Sequence, residues 1–291
     1  MRAERVLVGV DAEAASQTAV DWVIERARDH DLAITLVTAF DLLVSDPTAE
    51  EQRLAETARR IRDELPDAVV ETAFIERSIV EGLVDLSASF DLLVIGAHPE
   101  HRVLSALTGS LPYRVASRAL CSTVIVPSDW APSAGPVVVG VGDDSTANRA
   151  LLFAARDAIE ADRELEVVHA WQLPAPTDTL VGMVASPVEL RRAHRELLSG
   201  AMERIRAAFP AVRLRGFLQE GTSGDRLASR TQHASLVVLG THHRGVISGA
   251  LLGSTVRVVL GRGRVPVCVV PPAQPSGRSP AGASDAPAAR V

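Results

Sequence analysis

Aromatic side chains are scarce: Phe, Trp and Tyr make up 3% of the 291 residues, although 47% are hydrophobic. Any core must therefore be built from Val, Leu, Ile and Ala. The chain is long enough for two domains of ordinary size, each with a core of its own. Cysteine is rarer still: Cys121 and Cys268 occur at positions that do not correspond in the internal repeat described below, and they read as reduced core thiols. No apolar run approaches the roughly 20 residues of a membrane span, and MRAERVLVGV moves straight into a strand. The expectation is a soluble, cytoplasmic protein without membrane contact. The net charge is −6 and no basic cluster stands out, which argues against nucleic acid as a partner. The pattern Gly-x-x-x-x-Gly-Lys-Ser/Thr is missing, so this is not a P-loop nucleoside triphosphatase.

What is present is a duplication. Residues 236–271, LVVLGTHHRGVISGALLGSTVRVVLGRGRVPVCVVP, read as strand, glycine loop, helix and strand. Residues 92–127 lie over them without a gap at an offset of 240 − 96 = 144. Gly96 then matches Gly240, Gly109 matches Gly253, Ser110 matches Ser254 and Pro127 matches Pro271. A helix opening on Gly-Ser-Thr leaves backbone N–H groups free, and its dipole favours negative charge there, so such a start can cradle phosphate.

Taken in order, residues 5–10 form a continuous apolar strand that ends at Asp11. A helix follows with Ala15, Ala19, Val20, Trp22, Val23 and Ile24 on its inner side, capped at Ser16 or an earlier polar residue. Strands over 33–37, 69–75 and 91–95 alternate with helices over 48–65 and 79–88. The second half repeats this from residue 137, with its first strand displaced by 140 − 9 = 131 and Ala150, Leu151, Phe153, Ala154 and Ile159 repeating the inner side of the first helix. Its helices are placed at 187–209 and 224–233, and residues 172–186 read as a loop flanking a ligand. Strands alternating with helices predict an α/β fold: two tandem open parallel five-stranded sheets with helices on both faces. The domain boundaries fall at 1–127, a linker at 128–136, 137–272, and a disordered tail at 273–291. The last strands, at 122–126 and 266–270, belong at sheet edges. Uncovered β-branched edges invite pairing, so they are expected to meet across a pseudo-two-fold.

A VGVD-type first strand, a helix starting near Ser and Ala, and a late loop of the type Gly-x-x-Gly, nine residues, Gly-Ser/Thr together resemble the universal stress protein family. The resemblance covers residues 3–127 and 136–272. It implies ATP or a related adenine nucleotide bound at the strand carboxyl ends, where open α/β sheets hold ligands. Carried over residue by residue, it assigns Asp11 to adenosine and the backbone of Ala39 or Ala170 to adenine. The phosphate loop becomes Gly96, Gly109 and Ser110 in the first half, and Gly240, His243, Gly253, Ser254 and Thr255 in the second.

Two departures qualify the match. The second loop glycine is Pro99 in the first half and His243 in the second, and Gly142 stands where the first-strand acid would be in the second half. Proline fixes φ and lacks an N–H, whereas histidine keeps its donor, so the triphosphate should depend mainly on the second-half loop. Loss of the acid removes a charged hydrogen bond of about 1.5–3 kcal/mol. Asp143-Asp144-Ser145 reads either as a helix N-cap, the commoner use, or as a magnesium site beside phosphate. The aligned His98 and His242 read as polar loop residues. The leading reading is a stress or signalling module that senses ATP without turnover, as a homodimer or an intramolecular pseudo-dimer. The alternative is a non-binding structural dimer with decayed loops. An ATPase ranks behind both, since no general base, Walker lysine or arginine finger is identifiable.

Overall fold

The computed structural model describes residues 2–39, 47–98, 110–142, 145–173, 186–241 and 252–272. In the first half, strands β1 (Glu4–Gly9), β2 (Leu32–Ala39), β3 (Val69–Ile75), β4 (Leu92–Ala97) and β5 (Ser122–Pro127) alternate with helices α1 (Ala14–Arg26), α2 (Pro47–Glu64), α3 (Ile79–Leu86) and α4 (Leu111–Ala116). The second half repeats the order with β6 (Val137–Gly140), α5 (Ser145–Glu160), β7 (Leu165–Trp171), α6 (Pro187–Ala208), β8 (Leu214–Glu220), α7 (Ser223–Arg230), β9 (Leu236–Gly240), α8 (Ser254–Arg262) and β10 (Val267–Val270). The expected tail at 273–291 and most of the expected loop at 172–186 lie outside the described residues.

Within each half the strands are all parallel, in the orders β3-β2-β1-β4-β5 and β8-β7-β6-β9-β10. The central strands are runs of Val, Leu and Ile because both of their faces are covered. On one face, α1, α2, α5 and α6 pack Val23, Leu54, Leu151 and Ile205 against Val6, Val8, Val139 and Val238. On the other, α3, α4, α7 and α8 bring Leu83, Val115, Leu227 and Val259 against Leu7, Leu93, Val138 and Val237.

The two edges close on each other. β5 and β10 pair antiparallel, so the halves share one sheet of ten strands, and the expected meeting of the last strands is observed. Val124 faces Cys268, with Thr123 opposite Val269 and Ile125 opposite Val267. Since 268 − 124 = 144, Val124 faces its own counterpart, and the two flanking pairs are two-fold images of each other. A pseudo-two-fold axis therefore passes through the Val124–Cys268 pair. Both cysteines are buried and free. Burial pushes the Cys121 thiol up to about 12 and that of Cys268 well above its ordinary value.

Three local expectations are refined or corrected. Of the caps expected for α1, Ser16 or an earlier polar residue, the N-cap position falls to the earlier Glu13, but no side chain makes a capping bond there. The helices expected over 79–88 and 224–233 end earlier, each followed by a 3₁₀ turn, Ser87–Ser89 and Thr231–His233. The hydroxyls of Ser87 and Thr231 donate to the carbonyls of Val84 and Ala228, three residues back, which tightens the last turn. Ile159 is exposed rather than on the inner side of α5, where the buried position is taken by Asp157.

Candidate functional sites

Strand order reverses between β1 and β4, and again between β6 and β9. Such switch points leave a crevice outside the strand carboxyl ends. The structure has a cleft at each. The first, of about 240 Å³, brings together Asp11, Ala39 and Gly96 as the sequence predicts, and adds Glu13, Thr38 and His98. Ser110 sits beside the lining residue Leu111 as the N-cap of α4, and Gly109 and Pro99 lie outside the described residues.

Asp11 is held by a short local network. Its backbone N–H donates to Ser16 Oγ at 3.0 Å, and its Oδ1 accepts from the Glu13 N–H at 2.9 Å. Ser16 thus braces the strand end instead of capping the helix. Although Asp11 is exposed at residue level, the cleft wall removes part of its hydration. That desolvation raises its carboxyl above the ordinary value, with neighbouring Glu13 adding to it. Beside it, His98 Nε2 lies 3.1 Å from Glu13 Oε2. His98 is therefore part of the cleft wall and not merely a loop residue. Gly96 has a packing reason as well: a Cβ there would lie 2.1 Å from the carbonyl oxygen of Ala15. Only glycine lets β4 approach the start of α1 so closely.

The second cleft, of about 210 Å³, gathers Ala170, Gly240, Gly253, Ser254 and Thr255. His243 lies outside the described residues, as do His242 and the acidic pair Asp143-Asp144. Here Gly142 and Ala147 line the wall in place of Asp11 and Ser16, both related by the offset of 131. Gly253 is the N-cap of α8, with no side-chain capping bond, so the N–H groups of the first helical turn have no intrahelical acceptor. A Cβ at Gly253 would meet nothing within 4 Å, so its Cβ position faces open space.

Behind each cleft a side-chain pair joins the second strand to the long helix. In the first half, buried Thr38 donates to Glu50 Oε2 at 3.4 Å, and Arg53 pairs with Glu50. In the second, His169 Nε2 is 2.9 Å from His194 Nδ1, and His169 Nδ1 is 2.9 Å from the carbonyl oxygen of Val141. The ring of His194 tilts over Trp171 with centroids 5.2 Å apart. The repeat aligns Thr38 with His169 (169 − 38 = 131) and Glu50 with His194 (194 − 50 = 144), so one contact carries two chemistries. Reading the sequence missed Glu13, Thr38, Ser223 and this histidine pair. His169 and Trp171, two apart in a strand, marked one face of β7, but nothing local pointed to His194. Among the described residues, no group of three or more His, Cys, Asp or Glu side chains is arranged to hold a metal ion, and no helix is long and apolar enough to cross a membrane.

Comparison with known proteins agrees with this geometry. Universal stress protein Rv1996 of Mycobacterium tuberculosis is 26% identical over 298 residues, spanning 91% of this chain and 94% of that protein. Universal stress protein Rv2005c of the same organism is 28% identical over 287 residues, spanning 91% and 96%. The crystal structure of a universal stress protein from Archaeoglobus fulgidus superposes with a TM-score of 0.65 at 18% identity, covering 92% of this chain and 96% of that one, which supports the shared fold. The model of the universal stress protein family matches twice, over residues 2–127 and 134–271. With two such domains in tandem, the chain belongs to the universal stress protein family.

Proposed function

We propose that the protein is a stress-linked signalling module that binds an adenine nucleotide, ATP by family resemblance, in its second cleft without turning it over. The observation that carries this reading is the start of α8. Uncapped backbone donors, the hydroxyls of Ser254 and Thr255 and the open space at Gly253 converge beside Ala170 and Gly240. Unpaired N–H groups and the positive end of the helix dipole favour phosphate there. Among the described residues lining this cleft there is no acidic, basic or imidazole side chain, so none of them is suited to activate water as a general base. The first cleft suits phosphate less well. Asp11 and Glu13 repel it, while the Asp11 carboxylate suits a ribose hydroxyl.

The ten-stranded sheet favours a second reading, in which joining the halves is the function and the clefts are remnants. One experiment separates the two. The purified chain is denatured and its released nucleotide identified by chromatography, then nucleotide-free protein is titrated with ATP by calorimetry, with phosphate release monitored alongside. The proposal expects about one equivalent of binding and no release above background. Absence of both retained nucleotide and titratable binding would leave the structural reading. Phosphate release that scales with protein and disappears in Gly253→Glu would overturn the claim of no turnover.

A further inference from the structure

Arg26, in the last turn of α1, and Asp157, near the end of α5, form an ion pair that links the two halves. Both side chains are nearly sequestered, with 6% and 7% exposure. They occupy the same position of the repeat, since 157 − 26 = 131. Duplication places like residues at such a position, yet here one copy carries a guanidinium and the other a carboxylate. The surroundings share the asymmetry. Glu4 Oε2 is 3.0 Å from Arg26 Nε, and His30 Nε2 lies 3.6 Å from Asp157 Oδ1 and 3.2 Å from Glu160 Oε2. The counterparts of Glu4 and His30 in the second half are Gly135 and Ala161, which carry no charge.

We propose that this pair is a pairing code, which makes the junction face of each half complementary to the other half and hostile to a copy of itself. The strand pairing alone does not choose. β5 and β10 are both apolar strands at the edge of their own half, and the axis passes through a pair of self-equivalent residues, Val124 and Cys268. A β5–β5 or β10–β10 pairing would satisfy the same two-fold register. The buried charges break that degeneracy. Two first halves would bring two Arg26 guanidinium groups together, each with its own Glu4 but without Asp157, and two second halves would bring together two copies each of Asp157 and Glu160 with neither Arg26 nor His30 beside them. Like charges sequestered from water are heavily penalised, and charge placement of this kind discriminates between partners more than it adds affinity. The face therefore fits one partner, the complementary half of this chain.

Because the positions are equivalent, a single substitution in the full-length chain sets the two central charges of each rejected pairing against each other, with one Glu4 and one His30 still beside them. Asp157→Arg sets Arg against Arg as two first halves would, and Arg26→Asp sets Asp against Asp as two second halves would. Asp157→Asn removes a charge without opposing like charges. The triple change Glu4→Gln, Arg26→Met, Asp157→Leu removes the code while filling the space. Thermal unfolding at pH 7 is followed by circular dichroism for each. The two reversals should lower the midpoint by on the order of 10 °C or prevent folding, Asp157→Asn should lower it by less, and the triple variant should stay within about 3 °C of the parent. Either of two results overturns the proposal. One is a triple variant that falls as far as the reversals, which would make the site a packing requirement independent of charge complementarity. The other is a reversal that costs no more than Asp157→Asn, which would mean that like charges are not rejected there.

Discussion

The two clefts are nearly equal in size, about 240 and 210 Å³, and are built from corresponding elements, yet their polarity is inverted. At the first-strand end, the first cleft presents Asp11 braced by Ser16, where the second has Gly142 and Ala147. At the helix starts the order reverses: Ile79 and Leu111 line the first cleft, where the offset of 144 puts Ser223 and Thr255 in the second. The backbone frame is common to both and supplies the same crevice. Side chains at a few rim positions then decide which end of a ligand is welcome. Among the described lining residues, the first cleft is acidic at its first-strand end and apolar at its helix starts, and the second has no charged side chain but has hydroxyls at its helix starts.

The sharpest way to break this comparison uses the two motif glycines, which serve different purposes. Gly96→Ala should destabilise the fold by about 3 kcal/mol, because the new methyl group would collide with the backbone of α1. Gly253→Ala should cost no more than about 1 kcal/mol, since its Cβ meets open space and only cap preference changes. Urea denaturation of both variants measures the difference, and equal costs would remove the distinction. Next in size is binding. Gly253→Glu places a negative charge at an anion-favouring helix start, and ATP affinity should fall 10- to 100-fold, about 1.4–3 kcal/mol, with the fold intact by circular dichroism. Its motif counterpart, Gly109→Glu, should change total binding less. If calorimetry finds the reverse ranking, the first cleft is the nucleotide site.

A smaller effect appears in acid. Burial would raise the Asp157 carboxyl, but Arg26 and His30 outweigh it and hold it at about 2, below its ordinary 3.8. A depressed carboxyl contributes stability that is fully present above the unfolded value and is lost as pH falls through the folded one. The parent chain should therefore lose stability between pH 4 and pH 2 relative to Asp157→Asn, and denaturant titrations at fixed pH steps would show it. The smallest effect belongs to Asp11, whose shift has the opposite sign. Its raised carboxyl is a cost carried when ionised at neutral pH and relieved once pH falls below its ordinary 3.8. Asp11→Asn should unfold slightly later than the parent at pH 7 and show no such gain at pH 3. A parent chain that is more stable than the variant at pH 7 would show that ionised Asp11 is stabilising in the unliganded cleft.

Much of the fold was legible because its signals are local. Short β-branched runs such as Val6-Leu7-Val8 and Val137-Val138-Val139 between turn residues fit strands covered on both faces, and the gapless offset of 144 revealed the duplication. The strand-edge meeting followed from the same reasoning. What escaped depends on distance through space. The contact of His98 with Glu13 spans 85 residues, and that of Arg26 with Asp157 spans 131. The repeat showed that Arg26 and Asp157 are equivalent, but not that the axis brings them face to face. Glycine at position 96 marks a close approach without naming the neighbour, and one neighbour, the α1 backbone, lies 81 residues away in sequence at Ala15.

The antiparallel join of β5 to β10 has a consequence for communication between the halves. The strands of one half run opposite to those of the other, so their carboxyl ends, and the clefts with them, open on opposite rims of the sheet. Four strand spacings separate the two switch points laterally, about 19 Å at the usual strand separation. That exceeds the roughly 8 Å screening length of physiological salt, so a charge at one rim is muted at the other along any path through solvent, whereas the buried strands between them screen much less. Whatever couples one rim to the other through the protein passes across the junction that holds the β5–β10 join.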